Sequence, residues 1–240
     1  LSPYVQARPG STHGYDVCDH NRLNPEIGDA AAHARLRVAL QARGMGRLLD
    51  VVPNHMGVGC ANRYWLDVLE NGPHAPSARF FDINWNPVKA ELHNRLLLPI
   101  LGDAYGQVLE SGEITLGREG GGLFVHCYEN RLPLAPRSYA RVLERAADAL
   151  RDRVAEEDAS LVEIESIRRA AESLPATDET DRQRITDGLR EKEAIKARLA
   201  RICDESPEAR EAIDQALQSF AGTPGEAATF DSLHALLEEQ

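Results

Sequence analysis

The spacing of apolar residues differs between the earlier and later parts of the chain. From about residue 138 onward, apolar residues recur every three or four positions, which is typical of amphipathic helices. Before that point the apolar residues gather into short runs separated by turn-forming residues. In the later part we expect helices over residues 138–154 and 157–173, a long helix ending near Asp204, a fourth beginning after Ser206, and a short fifth over 230–239.

The apolar run at residues 47–52 predicts a buried strand. Its one carboxylate is Asp50, and a run that is apolar on both faces is typical of a strand in a parallel sheet. Pro53 cannot donate a hydrogen bond to a sheet, so we expect the strand to end there. Asn54 and His55 then follow in a turn, and polar groups at the carboxyl ends of parallel strands commonly contact a ligand. The alternative is that Asn54 is an ordinary turn former and His55 a structural side chain.

A helix is expected just before this strand. The turn at residues 24–29 ends in Asp29, a favourable N-cap, and an apolar stripe follows it until Gly44. Residues 16–55 therefore have the order extended segment, turn, helix and strand. That order is the repeating unit of parallel α/β folds.

Residues 61–137 have a different character, rich in aromatic residues and turn formers. A second apolar strand is expected at about 96–101. Short strands separated by glycine-containing turns then predict a small antiparallel meander. The length of this part is more typical of an insertion than of a simple connection. The expected meander strands are 107–109, 113–116 and 123–128.

Composition narrows the functional classes. The chain has 240 residues, of which 42% are hydrophobic, and its formal net charge is -11. A strongly acidic protein is a poor partner for nucleic acid or for an anionic membrane surface, and no apolar run approaches membrane-spanning length. The four cysteines lie far apart without zinc-ligand spacing, so we expect reduced thiols in a cytoplasmic protein.

Two motifs together carry a specific resemblance. Residues 6–16 read Gln-Ala-Arg-Pro-Gly-Ser-Thr-His-Gly-Tyr-Asp, and residues 50–55 read Asp-Val-Val-Pro-Asn-His. This pair resembles the α-amylase superfamily of glycoside hydrolases and, more closely, its maltooligosyl trehalose synthase family. Further matching segments are 98–102, 131–139 and 230–238, whereas the helices at 145–225 match in character only.

The resemblance implies an α/β fold built on a partial (β/α) TIM-barrel segment. Residues 47–55 would be the third barrel strand, and the remainder of the parent barrel would be a partner of this chain. Because the sequence starts abruptly at Leu1 without an initiator Met, we expect a longer parent protein. The expected division is a barrel segment with sugar-contact motifs at 1–60, a small antiparallel β insertion at 61–137, and a large, mostly α-helical subdomain at 138–240.

The resemblance also implies a reaction. The family converts the reducing-end α-1,4 linkage of malto-oligosaccharides, and hence of an α-1,4-glucan, into an α,α-1,1 linkage. Since the anomeric configuration is retained, a nucleophilic carboxylate and an acid/base carboxylate must lie about 5–5.5 Å apart. Water must be excluded from the site, because it would otherwise hydrolyse the sugar. No cofactor is expected.

Five residues are expected sugar-contact residues by their positions in the motifs. Tyr15 would stack on the sugar whose bond is broken, and His55 would hydrogen-bond its hydroxyls. Asp50 would orient the strand-end groups, Asn54 included, and His13 belongs to the same set. In calcium-bearing amylases the Asn at this position ligates the metal, but no accompanying oxygen cluster is present here, so no metal is expected. From the residues alone, Tyr15 could equally be an ordinary packed tyrosine.

The catalytic carboxylates of the family are not recognisable in this chain. Asp187 lies in a partial lookalike of one family motif, but a long charged helix surrounds it, so we reject it as the nucleophile. We therefore expect no catalytic residue among these 240. Two alternatives stay open: a non-catalytic carbohydrate-binding or interaction module, and a fragment of another α-amylase-family hydrolase.

Overall fold

The computed structural model describes residues 3–240 and divides the chain into two compact units. The first unit ends at Leu66, and the second covers Asp67–Gln240. Each unit is described separately. No helix within the described residues has the combination of length and apolar character that crossing a membrane requires.

The first unit contains a two-stranded sheet and one complete helix. Strands β1 (Val5–Ala7) and β2 (Val17–Leu23) pair antiparallel with an irregular register. Helix α1 (Ala30–Gln41) begins as predicted, because the side chain of Asp29 accepts a hydrogen bond from the backbone of Ala32 at 2.6 Å. The predicted helix after the turn at 24–29 is therefore confirmed.

The buried strand predicted at residues 47–52 is wrong. This segment is irregular and mostly exposed: 87% of Leu48 and 59% of Val51 are accessible to solvent. A parallel strand needs hydrogen-bonding neighbours, and the only sheet within the described residues of this unit pairs β1 with β2 antiparallel. Since no parallel sheet is present in the described residues of this unit, α1 has no such sheet to pack on. None of its residues is buried.

The second unit follows a helix that crosses the division, α2 (Arg63–Asn71), and contains a three-stranded sheet and six further helices among its described residues. The α-helices and strands of this unit are α3 (Tyr105–Glu110), β3 (Ile114–Glu119), β4 (Gly122–Cys127), β5 (Asn130–Pro133), α4 (Tyr139–Arg151), α5 (Ala159–Glu172), α6 (Arg182–Glu205), α7 (Pro207–Gln218) and α8 (Asp231–Leu237). The sheet has the antiparallel order β3-β4-β5, in which strands adjacent in sequence are also adjacent in space.

The helices from α4 to α8 begin and end within a few residues of their predicted bounds. Two strand predictions are wrong. Residues 107–109 belong to α3, in which the neighbouring residues Val108 and Leu109 are both buried, a pattern that strand alternation does not give. Residues 96–101 form no strand, because no segment pairs with them in the sheets of the described chain.

The meander and the helices of the second unit share one hydrophobic core. A buried hydrogen bond joins the two parts: the hydroxyl of Tyr139 on α4 accepts from the backbone N–H of Leu123 on β4 at 2.9 Å. Burial raises the pKa of Tyr139, so the hydroxyl stays protonated. The turn before β4 lies so close to α6 that a Cβ on Gly121 would meet the carbonyl oxygen of Lys196 at 1.7 Å.

An ion pair also lies inside this unit. Lys192 is only 7% exposed, and its Nζ lies 2.6 Å from Glu70 and 3.0 Å from Glu193. Burial alone would lower the pKa of Lys192, but the charge of Glu70 and the hydrogen bond to it outweigh burial and raise the pKa. This pair holds α6 against α2, and each member has a second partner, because Glu193 also contacts Lys192 and Lys196 also contacts Glu70 at 2.8 Å.

Three of the four cysteines are buried and are poor nucleophiles. They are Cys18, Cys127 and Cys203. Burial raises the pKa of each thiol, which keeps the sulfur in its unreactive protonated form.

The substitution Tyr139→Phe is expected to lower the free energy of unfolding by about 1–3 kcal/mol, because it leaves the Leu123 N–H buried without an acceptor. Urea denaturation followed by circular dichroism measures this change. Tyr128→Phe is the matched control, since that side chain is half exposed, and should change stability by less than about 0.5 kcal/mol. Equal effects of the two substitutions would contradict the structural role of the Tyr139 hydroxyl.

Candidate functional site

The loop between β1 and β2 is closed by its own hydrogen bonds. The backbone N–H of Arg8 donates to the carbonyl of Asp16 at 3.1 Å, and the N–H of Ser11 donates back to the carbonyl of Arg8 at 3.1 Å. The Ser11 hydroxyl donates to the Asp16 carboxylate and accepts from the N–H of Gly14 at 3.1 Å. The motif at residues 6–16 therefore folds into a compact loop.

Gly14 is required at the sharpest point of this loop. Its φ is +78°, in the left-handed region, and an added Cβ would lie 3.0 Å from the carbonyl oxygen of Pro3. The residues on either side of it, His13 and Tyr15, are thereby brought face to face. Their ring centroids are 5.7 Å apart with an angle of 18° between the ring planes.

Three of the five predicted sugar-contact residues come together around Tyr15. Its ring stacks on His13, its backbone N–H donates to His13 Nδ1 at 3.0 Å, and its hydroxyl donates to Asp50 Oδ2 at 2.6 Å. Tyr15 remains 37% exposed. The result is an aromatic ring fixed at both ends and accessible to a ligand.

The partner at the hydroxyl keeps Tyr15 in its neutral form. The hydrogen bond to Asp50, and next the negative charge of that carboxylate, raise the pKa of Tyr15. The phenol is therefore a hydrogen-bond donor around neutral pH. Since Asp50 accepts from Tyr15, it acts here as an orienting group.

The other two predicted residues, Asn54 and His55, lie in the exposed segment that follows. Within residues 3–240, no hydrogen bond or ring contact joins either of them to Tyr15, His13 or Asp50. The segment is anchored just beyond them, because the N–H of Gly57 donates to the carbonyl of Val17 at 2.8 Å.

Gly57 is closely surrounded by other groups at the point where it anchors this segment to β2. An added Cβ would lie 2.7 Å from the carbonyl oxygen of Asp16, so only glycine fits this approach to β2. Its own carbonyl accepts from the side chain of Asn62 at 2.8 Å, and Asn62 is fully buried. The chain after His55 is thus held against the end of the loop that carries Tyr15.

A cavity of about 360 Å³ lies beside the loop within the first unit. His13 lines it together with Tyr4, His33 and Arg47, whereas Tyr15 does not. Tyr4 stacks on His33 at 5.3 Å, and Arg47 donates to His33 Nε2 at 2.8 Å. The volume is within the range of small-molecule pockets. No spacing in the sequence indicated this cavity.

Sequence reasoning assigned no role to Ser11 or Asp16, which fold the loop. A signal for them was available, since Ser-Thr-His-Gly is a cluster of turn formers in which a hydroxyl can bond backbone groups nearby.

For metals, no group of three or more His, Cys, Asp or Glu side chains suited to a metal ion occurs in the described part of the chain.

Comparison with known proteins tests the resemblance. Residues 1–106 match the family model described as the α-amylase catalytic domain. A Mycobacterium tuberculosis protein named provisionally as a maltooligosyl trehalose synthase is 42% identical over 127 residues, which cover 48% of this chain. The recognition of the α-amylase superfamily is confirmed.

Two further comparisons show similarity to other proteins of this superfamily. A solved structure of a maltooligosyl trehalose synthase is 36% identical with a TM-score of 0.51, and the match covers 56% of this chain and 18% of that chain. The intracellular maltogenic amylase of Bacillus subtilis is 35% identical over 95 residues, covering 40% of this chain and 16% of the amylase. These matches support a partial TIM-barrel-like α/β fold, although the strands described here pair only antiparallel.

The chain matches only a small part of these relatives. The match covers 16% of the length of the M. tuberculosis protein. The activity of a whole protein of this kind is accordingly a matter for proposal.

Asp50→Asn is expected to lower the pH at which Tyr15 ionises, because the variant removes the charged acceptor that raises the pKa of that phenol. Ultraviolet absorbance during an alkaline titration measures tyrosine ionisation. Tyr15→Phe identifies which part of the curve belongs to Tyr15. Superimposable curves for the wild type and Asp50→Asn would contradict the Tyr15–Asp50 hydrogen bond.

Proposed function

We propose that this chain is part of an intramolecular transglucosylase of the α-amylase superfamily. The proposed reaction converts the reducing-end α-1,4 linkage of a malto-oligosaccharide into an α,α-1,1 linkage with retention of configuration. In this role the chain supplies one wall of a sugar subsite. The similarity to proteins named as maltooligosyl trehalose synthases supports this choice within the superfamily.

The observation that carries the proposal is the fixed, accessible ring of Tyr15. The apolar face of a pyranose packs on an aromatic ring much as two rings pack on each other. Because His13 and Asp50 hold Tyr15 at its ring and at its hydroxyl, a sugar would meet a pre-organised platform. His55, in the exposed segment after residue 53, is the proposed donor to the sugar hydroxyls, with Asn54 beside it.

The two catalytic carboxylates are proposed to come from residues outside these 240. Asp50 is engaged by Tyr15, so it is a poor candidate for the nucleophile. Asp187 lies on the exposed face of α6, where its carboxylate accepts from Gln183 at 2.9 Å.

The exposed apolar side chains at residues 48–51 have a proposed partner in the remainder of the parent barrel. Neighbouring parallel strands would pair with the backbone of 47–52 and would cover these side chains. The segment would then end with Asn54 and His55 at the strand terminus, as in other barrels of this type.

A second candidate function is hydrolysis of α-1,4-glucans. The 35% identity to a maltogenic amylase favours this function, because it is of the same order as the 42% identity to the M. tuberculosis protein. The two reactions differ in whether water reaches the glycosyl-enzyme intermediate. A third candidate, a non-catalytic carbohydrate-binding module, is proposed for the chain in isolation only.

The decisive experiment uses the intact reading frame that encodes this sequence, with maltopentaose as the substrate. The transglucosylase is expected to yield a non-reducing oligosaccharide of unchanged length, detected by loss of reducing ends without release of glucose. Release of shorter reducing sugars without a non-reducing product would assign the protein to the hydrolases.

For the 240-residue chain, titration calorimetry with maltopentaose tests the sugar-contact residues. Tyr15→Ala and His55→Ala are each expected to weaken binding, the latter by about two- to tenfold for the loss of one hydrogen bond. His20→Ala is the matched control, because His20 is an exposed histidine on β2 outside the loop. Equal affinities of all four proteins would contradict the assignment of the site.

A further inference from the structure

His13 makes two contacts with Tyr15, and both involve its ring. The rings stack with an angle of 18° between their planes, and His13 Nδ1 accepts the backbone N–H of Tyr15 at 3.0 Å. Gly14 between them has a left-handed backbone, which makes this arrangement possible. The side chain of His13 therefore contacts both the ring and the backbone of Tyr15, two residues further along the chain.

We propose that His13 is a positioning residue for Tyr15 and does not itself contact the sugar. An aromatic ring has two faces, and the imidazole supports one of them. The opposite face is the one left for a pyranose. This inference rests on the proposed function, because it specifies how the same sugar platform is held.

The protonation state of His13 decides whether the support exists. A hydrogen bond from the Tyr15 N–H needs a lone pair on Nδ1. The neutral imidazole offers this lone pair when its proton is on Nε2. Uptake of a proton from solvent at Nδ1 turns this atom into a donor and removes the acceptor. The carboxylate of Asp16, whose Oδ1 lies 3.9 Å from Nδ1, is then the competing partner.

Other charged groups near His13 are already engaged. The cavity wall that includes His13 also contains Asp29, His33 and Arg47. Asp29 caps α1, and Arg47 donates to His33. Tyr15 is neutral, because its hydrogen bond to Asp50 and the charge of that carboxylate raise its pKa. Asp16 is therefore the group that would draw the protonated ring away from Tyr15.

Acidification is accordingly expected to release Tyr15. Protonation of His13 at Nδ1 should change the Tyr15 platform from supported to unsupported, because it removes the acceptor of the Tyr15 N–H.

The first test needs no sugar. In the isotope-labelled 240-residue chain, nuclear magnetic resonance follows the ring nitrogens of His13 and the amide of Tyr15 between about pH 8 and pH 5. The Tyr15 amide is expected to shift with the same midpoint as the His13 ring, and this shift should vanish in His13→Phe. A Tyr15 amide that ignores the His13 titration would overturn the proposal.

Two variants separate the contacts. His13→Asn keeps an acceptor near the position of Nδ1 but lacks the aromatic ring, whereas His13→Phe keeps a ring but lacks the acceptor. Each is expected to bind maltopentaose about two- to tenfold more weakly than the wild type above pH 7. Their affinities should also depend less on pH than that of the wild type. His20→Asn is the control and should behave as the wild type in every measurement.

The outcomes distinguish this inference from the function on which it rests. If the wild type fails to bind maltopentaose at any pH, the proposed function of the chain fails, and the amide titration still decides whether His13 positions Tyr15. If the wild type binds and both His13 variants bind equally well with the same pH profile, His13 is not a positioning residue and only this inference fails.

Discussion

Each N–H and C=O group of an extended backbone needs a partner, either on a neighbouring strand or in water, and this requirement shapes both units of the protein. In the second unit β3, β4 and β5 satisfy one another in a continuous antiparallel sheet, and its apolar face joins the helical core. In the first unit β1 and β2 pair only with each other. The segment at residues 47–52 belongs to neither sheet of the described chain, although its composition is that of a buried strand.

The same requirement explains why the candidate site is held by loop contacts. In a complete barrel, neighbouring strands would fix the direction of the side chains at a strand end. Here the bond between Tyr15 and Asp50 joins the loop after β1 to the segment at 47–52 without any sheet. Gly57, packed against Asp16, holds the chain beyond His55. These local contacts keep the aromatic platform intact in the absence of strand pairing.

The two units differ in how they are stabilised. The second unit buries side chains from the meander and from the six helices α3 to α8 in one core, with the Tyr139 hydroxyl and the Lys192–Glu70 pair satisfying polar groups inside it. The first unit buries few side chains, among them Ala7, the start of β2, Asn24 and Asn62, and it exposes apolar side chains between residue 45 and residue 51. Function is proposed for the less buried unit, because exposed and fixed side chains are the ones that a ligand can reach.

The amino-acid sequence by itself determined the helix after Asp29 and the helices after residue 138, and it predicted the candidate site residues. Caps such as Asp29 and Ser206, the helical spacing after residue 138, and the two motifs are local signals that need no knowledge of distant partners. Whether residues 47–52 form a strand was decided by the tertiary structure, since pairing depends on segments elsewhere in space. The same holds for the support of Tyr15 by His13 and Asp50. The sequence predicted Tyr15, His13 and Asp50 as site residues. The left-handed backbone of Gly14 and a reversal of the chain were needed to bring them together.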